Sequence, residues 1–443
     1  MSGPGGGLVR SLRQGDLVLV VIGTVIGSGI WLVPGTVLKN TAGDPGVALL
    51  VWLIGGICSL LGALTFAELG TSYPDAGGSY TYVREAFGRF PAFLLGWTLF
   101  LAINTGSTAT LAVAFAAYAG ELVPLGEIGR KLLPALMIVV VSAVNIRGVR
   151  HAATVQNWST TVKVAAILVL ATAGLALGHN AGASVRHAFT ASASGELVSG
   201  AGVALLGVLW AYEGWINVTN SAGEALDPQR TFSRGIVIGT SALVALYLLA
   251  NLGYLATLGP EGVAGSQRVA ADAVRVLFGP VAAKLVSAAV LVSVFSAANG
   301  LALTGPRMYY AMGRDGVFLR GLGAVHPRFG TPAMAIAAGG AWAILLTFWG
   351  SFEQLLTYVV FASWLFAALA AASLFVLRRR HPGVARPFRV PGYPVTPALF
   401  ILAALAIVAN AVVARPQQAL AGLGIVLVGT PAYLFWKRRG AAA

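Results

Sequence analysis

A glycine-rich segment from Gly23 to Trp31 interrupts the first long apolar run of the chain. Its centre, Gly27-Ser28-Gly29, removes helix propensity at three successive positions and predicts a break in the helix. A break frees backbone N–H groups at the start of the outer half-helix, where the partial positive charge suits a carboxylate. The alternative is helix packing, because Gly23 and Gly27 form a GxxxG pair that lets two backbones approach closely. The third glycine favours the binding site.

A second interruption is predicted in the sixth apolar run, where Glu213 and Gly214 lie among Trp210, Tyr212 and Trp215. It falls five spans after the first, as expected if spans one to five and six to ten are repeats of opposite orientation. Discontinuous helices at matching places in two halves are typical of membrane transporters and mark their central site. Glu213 also has a simpler interpretation, since a carboxylate is stable at the positive end of the inner half-helix.

The fifth apolar run contains a lysine, Lys163, near its start. A lysine at the centre of a membrane helix costs about 2.5 to 3.5 kcal/mol on insertion scales, so it needs a partner or a purpose. One interpretation is that the side chain snorkels to the membrane surface. The other is that its ammonium group replaces a coupling cation beside the broken first helix.

No other residues of the sequence indicate catalytic, redox or metal-binding chemistry. Cys58 is the only cysteine and lies in an apolar run, which predicts a packing role and excludes an intrachain disulfide. The histidines fall in predicted loops or span ends without metal-binding spacing, so we expect no metal, no cofactor and no enzyme. These histidines are His151, His179, His187, His326 and His381.

Apolar residues make up 57% of the 443 residues and charged residues only 10%, which predicts a polytopic membrane protein. Most of the 29 basic residues fall in loops on the side of the amino terminus, so the positive-inside rule places both termini in the cytoplasm. This scatter over short loops explains the net charge of +14 without nucleic acid. Twelve spans of about 20 residues are predicted; they begin near residues 16, 45, 91, 131, 155, 198, 234, 279, 331, 355, 397 and 418.

Further motifs occur in order along nearly the whole chain. They are Val37-Leu38-Lys39, Ala67-Glu68-Leu69-Gly70, Gly77-Gly78-Ser79-Tyr80-Thr81-Tyr82, Pro91-Ala92-Phe93, Gly223-Glu224-Ala225-Leu226-Asp227-Pro228 and Gly305-Pro306-Arg307-Met308-Tyr309-Tyr310-Ala311-Met312-Gly313-Arg314-Asp315-Gly316. With the two interrupted segments, they resemble the L-amino acid transporter (LAT) branch of the amino acid–polyamine–organocation (APC) superfamily, bacterial type.

The resemblance implies an all-α membrane protein with the LeuT-type fold. We expect twelve transmembrane helices, ten of them forming a 5+5 inverted repeat in which helices one and six are broken. The ten-span core is expected in residues 1–390. Two peripheral transmembrane helices and a cytoplasmic carboxyl terminus are expected in residues 391–443.

The resemblance also implies how a substrate is held. The carboxylate of an L-amino acid is expected at the amides around Gly27, Ser28 and Gly29, and its ammonium group at backbone carbonyls. Lys163 matches the fifth-span lysine that stands where sodium-driven relatives hold a sodium ion, which implies sodium independence. Tyr212 and Trp364 are expected as gates, although Trp364 also fits an ordinary packed aromatic. The substrate-binding residues expected are Val25, Ile26, Gly27, Ser28, Gly29, Ile30, Trp210, Ala211, Glu213 and Gly214, of which Val25, Trp210 and Glu213 offer the carbonyls.

The sequence departs from many relatives at Glu213, Ile216 and Trp31, and Ile216 is apolar where some relatives have a polar residue. Glu213 stands where many relatives have glycine, and it could cap helix six, gate the site or attract a cationic substrate. Trp31 replaces a phenylalanine common in relatives, which is expected to shrink the pocket or alter its gate. The cysteine that binds a heavy chain in animal relatives is absent, so no disulfide-linked partner is expected.

The function implied is a sodium-independent exchanger or facilitator of neutral L-amino acids in the cell membrane. The alternatives are a proton-coupled amino acid symporter and a carrier of cationic amino acids or polyamines.

Overall fold

The protein is helical throughout the residues that its computed structural model describes, which are residues 8, 10–182, 195–348, 352–414 and 416–441. The one β-bridge among them joins Leu12 to Ala225. The helices are α1 (Gln14–Val25), α2 (Gly29–Asn40), α3 (Pro45–Ser72), α4 (Ser79–Phe87), α5 (Arg89–Thr98), α6 (Asn104–Leu122), α7 (Glu127–Ile146), α8 (Val149–Leu177), α9 (Gly195–Ala211), α10 (Ser233–Gly265), α11 (Val269–Phe278), α12 (Pro280–Thr304), α13 (Pro306–Arg314), α14 (Ala333–Thr347), α15 (Phe352–Arg380), α16 (Val395–Ala414) and α17 (Pro416–Ala441).

The first span is broken between α1 and α2, whose axes differ in direction by 46°. The helical conformation ends at Ile26, which has φ −70° and ψ 85°. The amide of Gly27 then donates to the carbonyl oxygen of Val25 at 2.7 Å, closing a tight turn before α2 begins. The break therefore lies at the glycine-rich segment singled out by the sequence.

The sixth span is interrupted after α9. Gly214 has φ +123°, a backbone conformation that L-residues with a Cβ rarely adopt, and a 3₁₀ helix follows from Trp215 to Glu224. The regular α-helix of this span therefore ends at Ala211, and the span continues as a 3₁₀ helix after Gly214.

Nine helices in the described part of the chain are long and apolar enough to cross a membrane, and the bent α1–α2 pair makes ten. The chain is thus a multi-pass membrane protein, as the sequence predicts. Two of the twelve predicted spans fall on α7 and α14, which are outside this count. Helix α14 is apolar but has only 15 residues, fewer than the roughly 20 needed to cross a bilayer upright.

Buried ion pairs at the ends of the helices account for two of the sequence motifs. Arg307 of α13 donates to both carboxylate oxygens of Glu224, at 2.8 and 3.0 Å, and both side chains are fully buried. The carbonyl oxygen of Glu224 also accepts from the amides of Ser11 and Leu12. The segment before α1 is therefore attached to the end of the sixth span. In the same way, Glu68 at the end of α3 accepts two hydrogen bonds from Arg378 of α15.

Candidate functional site

The two helix breaks meet at one cavity. The first break contributes its glycine-rich turn and the second contributes the end of α9, while α6 and α12 form the opposite wall. We call this the central cavity. It is lined by Thr24, Val25, Gly27, Ser28, Gly29, Ser107, Leu111, Trp210, Glu213, Gly214, Ala297 and Leu301.

Seven of the ten residues predicted to bind substrate line this cavity, and three do not. Ile26 contributes only its carbonyl oxygen, which accepts a hydrogen bond from Lys163. Ile30 is part of the apolar core, and Ala211 packs against Gly29. The seven residues that the structure brings together are Val25, Gly27, Ser28, Gly29, Trp210, Glu213 and Gly214.

Two hydroxyl groups in the cavity wall are buried without a hydrogen-bond partner. They belong to Thr24 on α1 and Ser28 at the start of α2. Unpartnered buried polar atoms are uncommon in proteins and call for water or a ligand. Ser28 precedes a twelve-residue helix whose first amides carry partial positive charge. This side of the cavity suits an anionic group.

Lys163 lies beside the first break rather than at the membrane surface. Its Nζ donates to the carbonyl oxygens of Gly23 at 2.6 Å and Ile26 at 2.5 Å, with that of Ser293 at 3.4 Å. The lysine is completely buried, which excludes snorkelling as its arrangement in this structure. The Lys163 ammonium group is thus surrounded by backbone carbonyl oxygens of the first break and of α12.

Ser293 of α12 is a component of this site that the sequence did not reveal. Its hydroxyl lies 3.1 Å from the carbonyl oxygens of both Ile26 and Gly27 and accepts a hydrogen bond from the indole of Trp31. Trp31 therefore attaches α2 to α12 and does not line the central cavity. The expectation that it shrinks the pocket directly does not match this position.

Tyr247 of α10 connects the two breaks. Its hydroxyl is 3.0 Å from the carbonyl oxygen of Ala211 and 3.3 Å from that of Val25. The carbonyl of Trp210 also accepts a bond, from the amide of Glu213 at 3.0 Å. Because a carbonyl oxygen has two lone pairs, that of Trp210 retains capacity for a further donor, whereas that of Val25 already accepts from the amide of Gly27 and lies 3.3 Å from the Tyr247 hydroxyl.

The glycines of the first break have different neighbours. A Cβ on Gly23 would overlap the side chains of Gln156 and Thr160 on α8, so this glycine permits close helix packing. A Cβ on Gly27 would lie 3.1 Å from a Leu111 methyl group in the cavity wall. The packing interpretation therefore applies to Gly23, whereas Gly27 lies in the wall of the central cavity.

Glu213 lines both the central cavity and a second cavity. The 3₁₀ helix after it begins at Trp215 with Gly214 at its N-cap, so Glu213 lies just before this helix, and its capping role stays a prediction. We call the second cavity the side cavity. Its lining residues are Ser79, Leu95, Leu99, Ile103, Glu213, Ile216, Asn217, Asn220, Met308, Ser363, Phe366 and Ala367.

The two aromatic residues predicted as gates line neither cavity. Tyr212 is buried against Trp52 and Tyr247, with ring centroids 6.0 and 5.0 Å away. Trp364 packs against Phe400 at 5.9 Å. Both positions match packed aromatic residues, and a gating role for either stays a prediction.

Comparison with known proteins places this arrangement in a family. The sequence profile of the amino acid permease family, part of the APC superfamily, matches residues 12–430. The chain belongs to the amino acid permease family. Membership makes it a membrane transporter and not an enzyme. Across the described residues, no group of three or more His, Cys, Asp or Glu side chains could hold a metal ion, and His187 lies outside them.

Similar proteins in the family include transporters and exchangers of several kinds. The serine/threonine exchanger SteT of Bacillus subtilis is 32% identical, over 98% of this chain and 99% of its own. The human cystine/glutamate transporter is 33% identical over 95% of this chain and 85% of its own. The human b(0,+)-type amino acid transporter 1 is 34% identical over 90% of this chain and 82% of its own.

Proposed function

We propose that the protein is a sodium-independent transporter of neutral L-amino acids that binds its substrate in the central cavity. The observation that carries this proposal is the position of Lys163, whose ammonium group contacts the carbonyls of Gly23 and Ile26 at the break. A fixed ammonium group there supplies the positive charge that a sodium ion would otherwise supply. The site then needs no cation from solution.

The chemistry of the cavity supports an α-amino acid as substrate. The carboxylate binds at the start of α2, near the hydroxyl of Ser28, where helix amides and the helix dipole favour an anion. The ammonium group binds on the opposite side, at the carbonyls of Val25, Trp210 and Glu213. The apolar side chains of Leu111, Ala297 and Leu301 lie nearby and suit a neutral substrate side chain.

We propose alternating access as the mechanism, within a LeuT-type fold of twelve spans in the cell membrane with both termini in the cytoplasm. The broken spans α1–α2 and α9 rock against the wall formed by α6 and α12. Tyr247 keeps the two breaks together during this movement, because one hydroxyl group contacts a carbonyl from each. No disulfide-linked heavy chain is required by this scheme.

Counterflow in liposomes tests this function. Purified protein is expected to exchange external labelled leucine, alanine or serine for internal amino acid at equal rates in sodium chloride and choline chloride. The comparison uses protein-containing liposomes without internal amino acid, with and without a pH gradient, between pH 5 and 8. Uptake that needs no internal amino acid but follows the proton gradient would establish the proton-coupled symporter instead.

A second candidate, transport of cationic amino acids, is favoured by the carboxylate of Glu213. This residue lines both cavities, so its charge faces the space that a substrate side chain would occupy. An ion pair formed there would be partly shielded from water, and a charge-assisted hydrogen bond contributes about 1.5 to 3 kcal/mol.

Exchanging Glu213 for glutamine separates the two candidates. If cationic substrates are carried, Glu213→Gln should lower arginine counterflow at least about tenfold and leave leucine counterflow within about twofold. Glu261→Gln, at an exposed carboxylate that lines neither cavity, is the matched control. Equal loss for both amino acids would indicate a gating role, and a wild-type protein that carries no arginine would eliminate the second candidate.

A further inference from the structure

Three buried amide side chains form a connected network between α7, α8 and α12. Asn145 of α7 donates to the side-chain oxygen of Asn299 on α12 at 2.9 Å, and Asn299 donates to that of Gln156 on α8 at 3.0 Å. Asn299 and Gln156 are completely buried, and Asn145 is nearly so. We call these three side chains the amide network. None of them lines the central cavity or the side cavity.

The hydrogen bonds of Asn299 determine which way the Gln156 amide points. Asn299 also donates to the carbonyl oxygen of Ala152 at 3.1 Å, and a carbonyl can only accept, so the side-chain nitrogen of Asn299 faces α8. The atom of Gln156 that meets this nitrogen is therefore its oxygen. Its nitrogen, Nε2, is directed elsewhere and has no hydrogen-bond partner in the part of the chain that the structure describes.

The unpaired nitrogen of Gln156 faces α1 just before the first break. A Cβ on Gly23 would overlap both this nitrogen and the hydroxyl of Thr160. A Cβ on Gly300 of α12 would overlap the hydroxyl of Thr24, which is also unpaired, and would lie 3.2 Å from Gln156 Nε2. The two glycines thus let α1, α8 and α12 close on one another without room for a water molecule at these points.

The rest of the contact between α1 and α8, which we call the α1–α8 seam, is also polar. At the start of α1, Asp16 accepts from Arg150 at 3.0 Å and from Asn157 at 2.6 Å. Farther along α1, the hydroxyl of Thr160 donates to the carbonyl oxygen of Leu19 at 3.2 Å. Each of these groups can bond to water when the two helices separate, so opening the seam leaves none of them unpaired.

The closed seam is less favourable for Gln156 Nε2 and the Thr24 hydroxyl than the open seam is. A buried donor without an acceptor retains its full cost of dehydration, and separation of α1 from α8 removes that cost by exposing the donor to water. An apolar side chain of similar shape would not carry the cost in either arrangement. The unpaired amide therefore destabilises the closed seam, whereas an ordinary buried hydrogen bond would stabilise it.

We propose that Gln156 is a positioning residue for transport, whose unpaired nitrogen keeps α1 ready to separate from α8. The amide network holds this nitrogen in place, because a rotated amide would set it against the nitrogen of Asn299. The inference rests on the proposed function, since it assigns a role within the alternating-access movement. It adds a residue that controls the movement without lining either cavity.

Cysteine labelling measures how often the α1–α8 seam opens. Cys58→Ser removes the only cysteine, and Thr160→Cys places a thiol in the seam. The rate of its reaction with a water-soluble maleimide, in detergent and without amino acid, reports the population of the open seam. Gln156→Met on this background should react about tenfold more slowly, which corresponds to about 1.4 kcal/mol. Gln417→Met, the same change at an exposed glutamine of α17, should leave the rate unchanged.

Thermal unfolding and exchange rates separate this role from ordinary packing. Asn299 keeps its bond to Ala152 in Gln156→Met, so this variant should unfold at the wild-type temperature or above it. Its exchange of amino acid in liposomes should be about tenfold slower, because α1 separates less often. Thr24→Val, which removes the second unpaired group, should also slow the labelling. A Gln156 that only supports the fold would give a lower unfolding temperature and faster labelling.

Several results would overturn the proposal. Labelling of Gln156→Met at the unsubstituted rate or faster is one. Failure of this variant to fold is another, because the amide would then stabilise the closed arrangement. Slower labelling in Thr24→Val alone would assign the effect to Thr24 and also exclude Gln156. The labelling requires no transport, so a wild-type protein that carries no amino acid would refute the proposed function separately.

Discussion

Replacing Lys163 with alanine is expected to lower the rate of amino acid exchange about 100-fold while the protein still folds. The change leaves the carbonyls of Gly23 and Ile26 without the donor that they share. A hydrogen bond to a charged group contributes about 1.5 to 3 kcal/mol, and a 100-fold change corresponds to roughly 2.7 kcal/mol. Losing one such hydrogen bond from the transition state of the transport movement is sufficient for a roughly 100-fold lower exchange rate.

The experiment compares three substitutions in liposomes and in detergent. Lys163→Met keeps most of the side-chain volume without the charge, and it should be as inactive as Lys163→Ala if the ammonium group is what matters. Lys39→Ala removes an exposed lysine at the end of α2 and should transport like the wild type. Size-exclusion profiles and thermal unfolding in detergent report whether each variant is folded.

The outcomes distinguish a role in transport from a role in packing. Wild-type exchange in both Lys163 variants would eliminate the cation-replacing role. Recovery in Lys163→Met but not in Lys163→Ala would indicate that the aliphatic stem fills space and that the charge is dispensable. We expect the Lys163→Ala protein to be inactive but monodisperse. We expect the wild-type protein to exchange amino acid at the same rate in sodium and choline salts.

Local sequence was sufficient to locate the helix break. Glycine at 27 and 29 on either side of Ser28 lowers helix propensity, and the interruption after Val25 lies at these residues. The break at Gly214 has the same origin, since its φ of +123° is readily available only to glycine. Both breaks could therefore be predicted without knowing any tertiary contact.

The partners of the break were not predictable in this way. Lys163 was recognised from its cost in a membrane helix, but its contacts are with carbonyls about 140 positions earlier in the chain. Ser293 and Tyr247 were missed because serine and tyrosine are common in apolar spans, and only the packing of α12 and α10 against the break gives them a role. The only sequence signal of Ser293 and Tyr247 is a polar atom in an apolar run, and this signal occurs too often to single these residues out.

The orientation of the side chains around the cavities was not predictable from local sequence either. Tyr212 and Trp364 were predicted as gates from their positions in the sixth and tenth spans, yet both are packed away from the two cavities beside Glu213. Which face of an interrupted span turns toward a cavity depends on the direction that the chain takes after the break. Sequence periodicity does not carry across such a point.

Leucine at position 27 and leucine at position 29 are expected to fail for different reasons. A Cβ at Gly29 would lie 2.5 Å from the Cα of Ala211, which is backbone and cannot give way locally, so Gly29→Leu should disrupt the contact between the two broken spans. A Cβ at Gly27 would meet a Leu111 methyl at 3.1 Å and the Ala297 methyl at 3.3 Å. Leu111 can change rotamer, so Gly27→Leu should fold and place its side chain in the central cavity.

The measurements are size exclusion in detergent and equilibrium binding of the labelled amino acid that exchanges best. Gly27→Leu should elute as the wild type does but bind at least about 100-fold more weakly, because its isobutyl group occupies the position proposed for the substrate. Gly29→Leu should yield little monodisperse protein. Gly15→Leu, at an open position near the start of α1, should behave as the wild type in both assays. Wild-type affinity in a folded Gly27→Leu protein would contradict the central cavity as the substrate site, whereas poor assembly of both variants would mean that the first break serves helix packing at Gly27 as well as at Gly23.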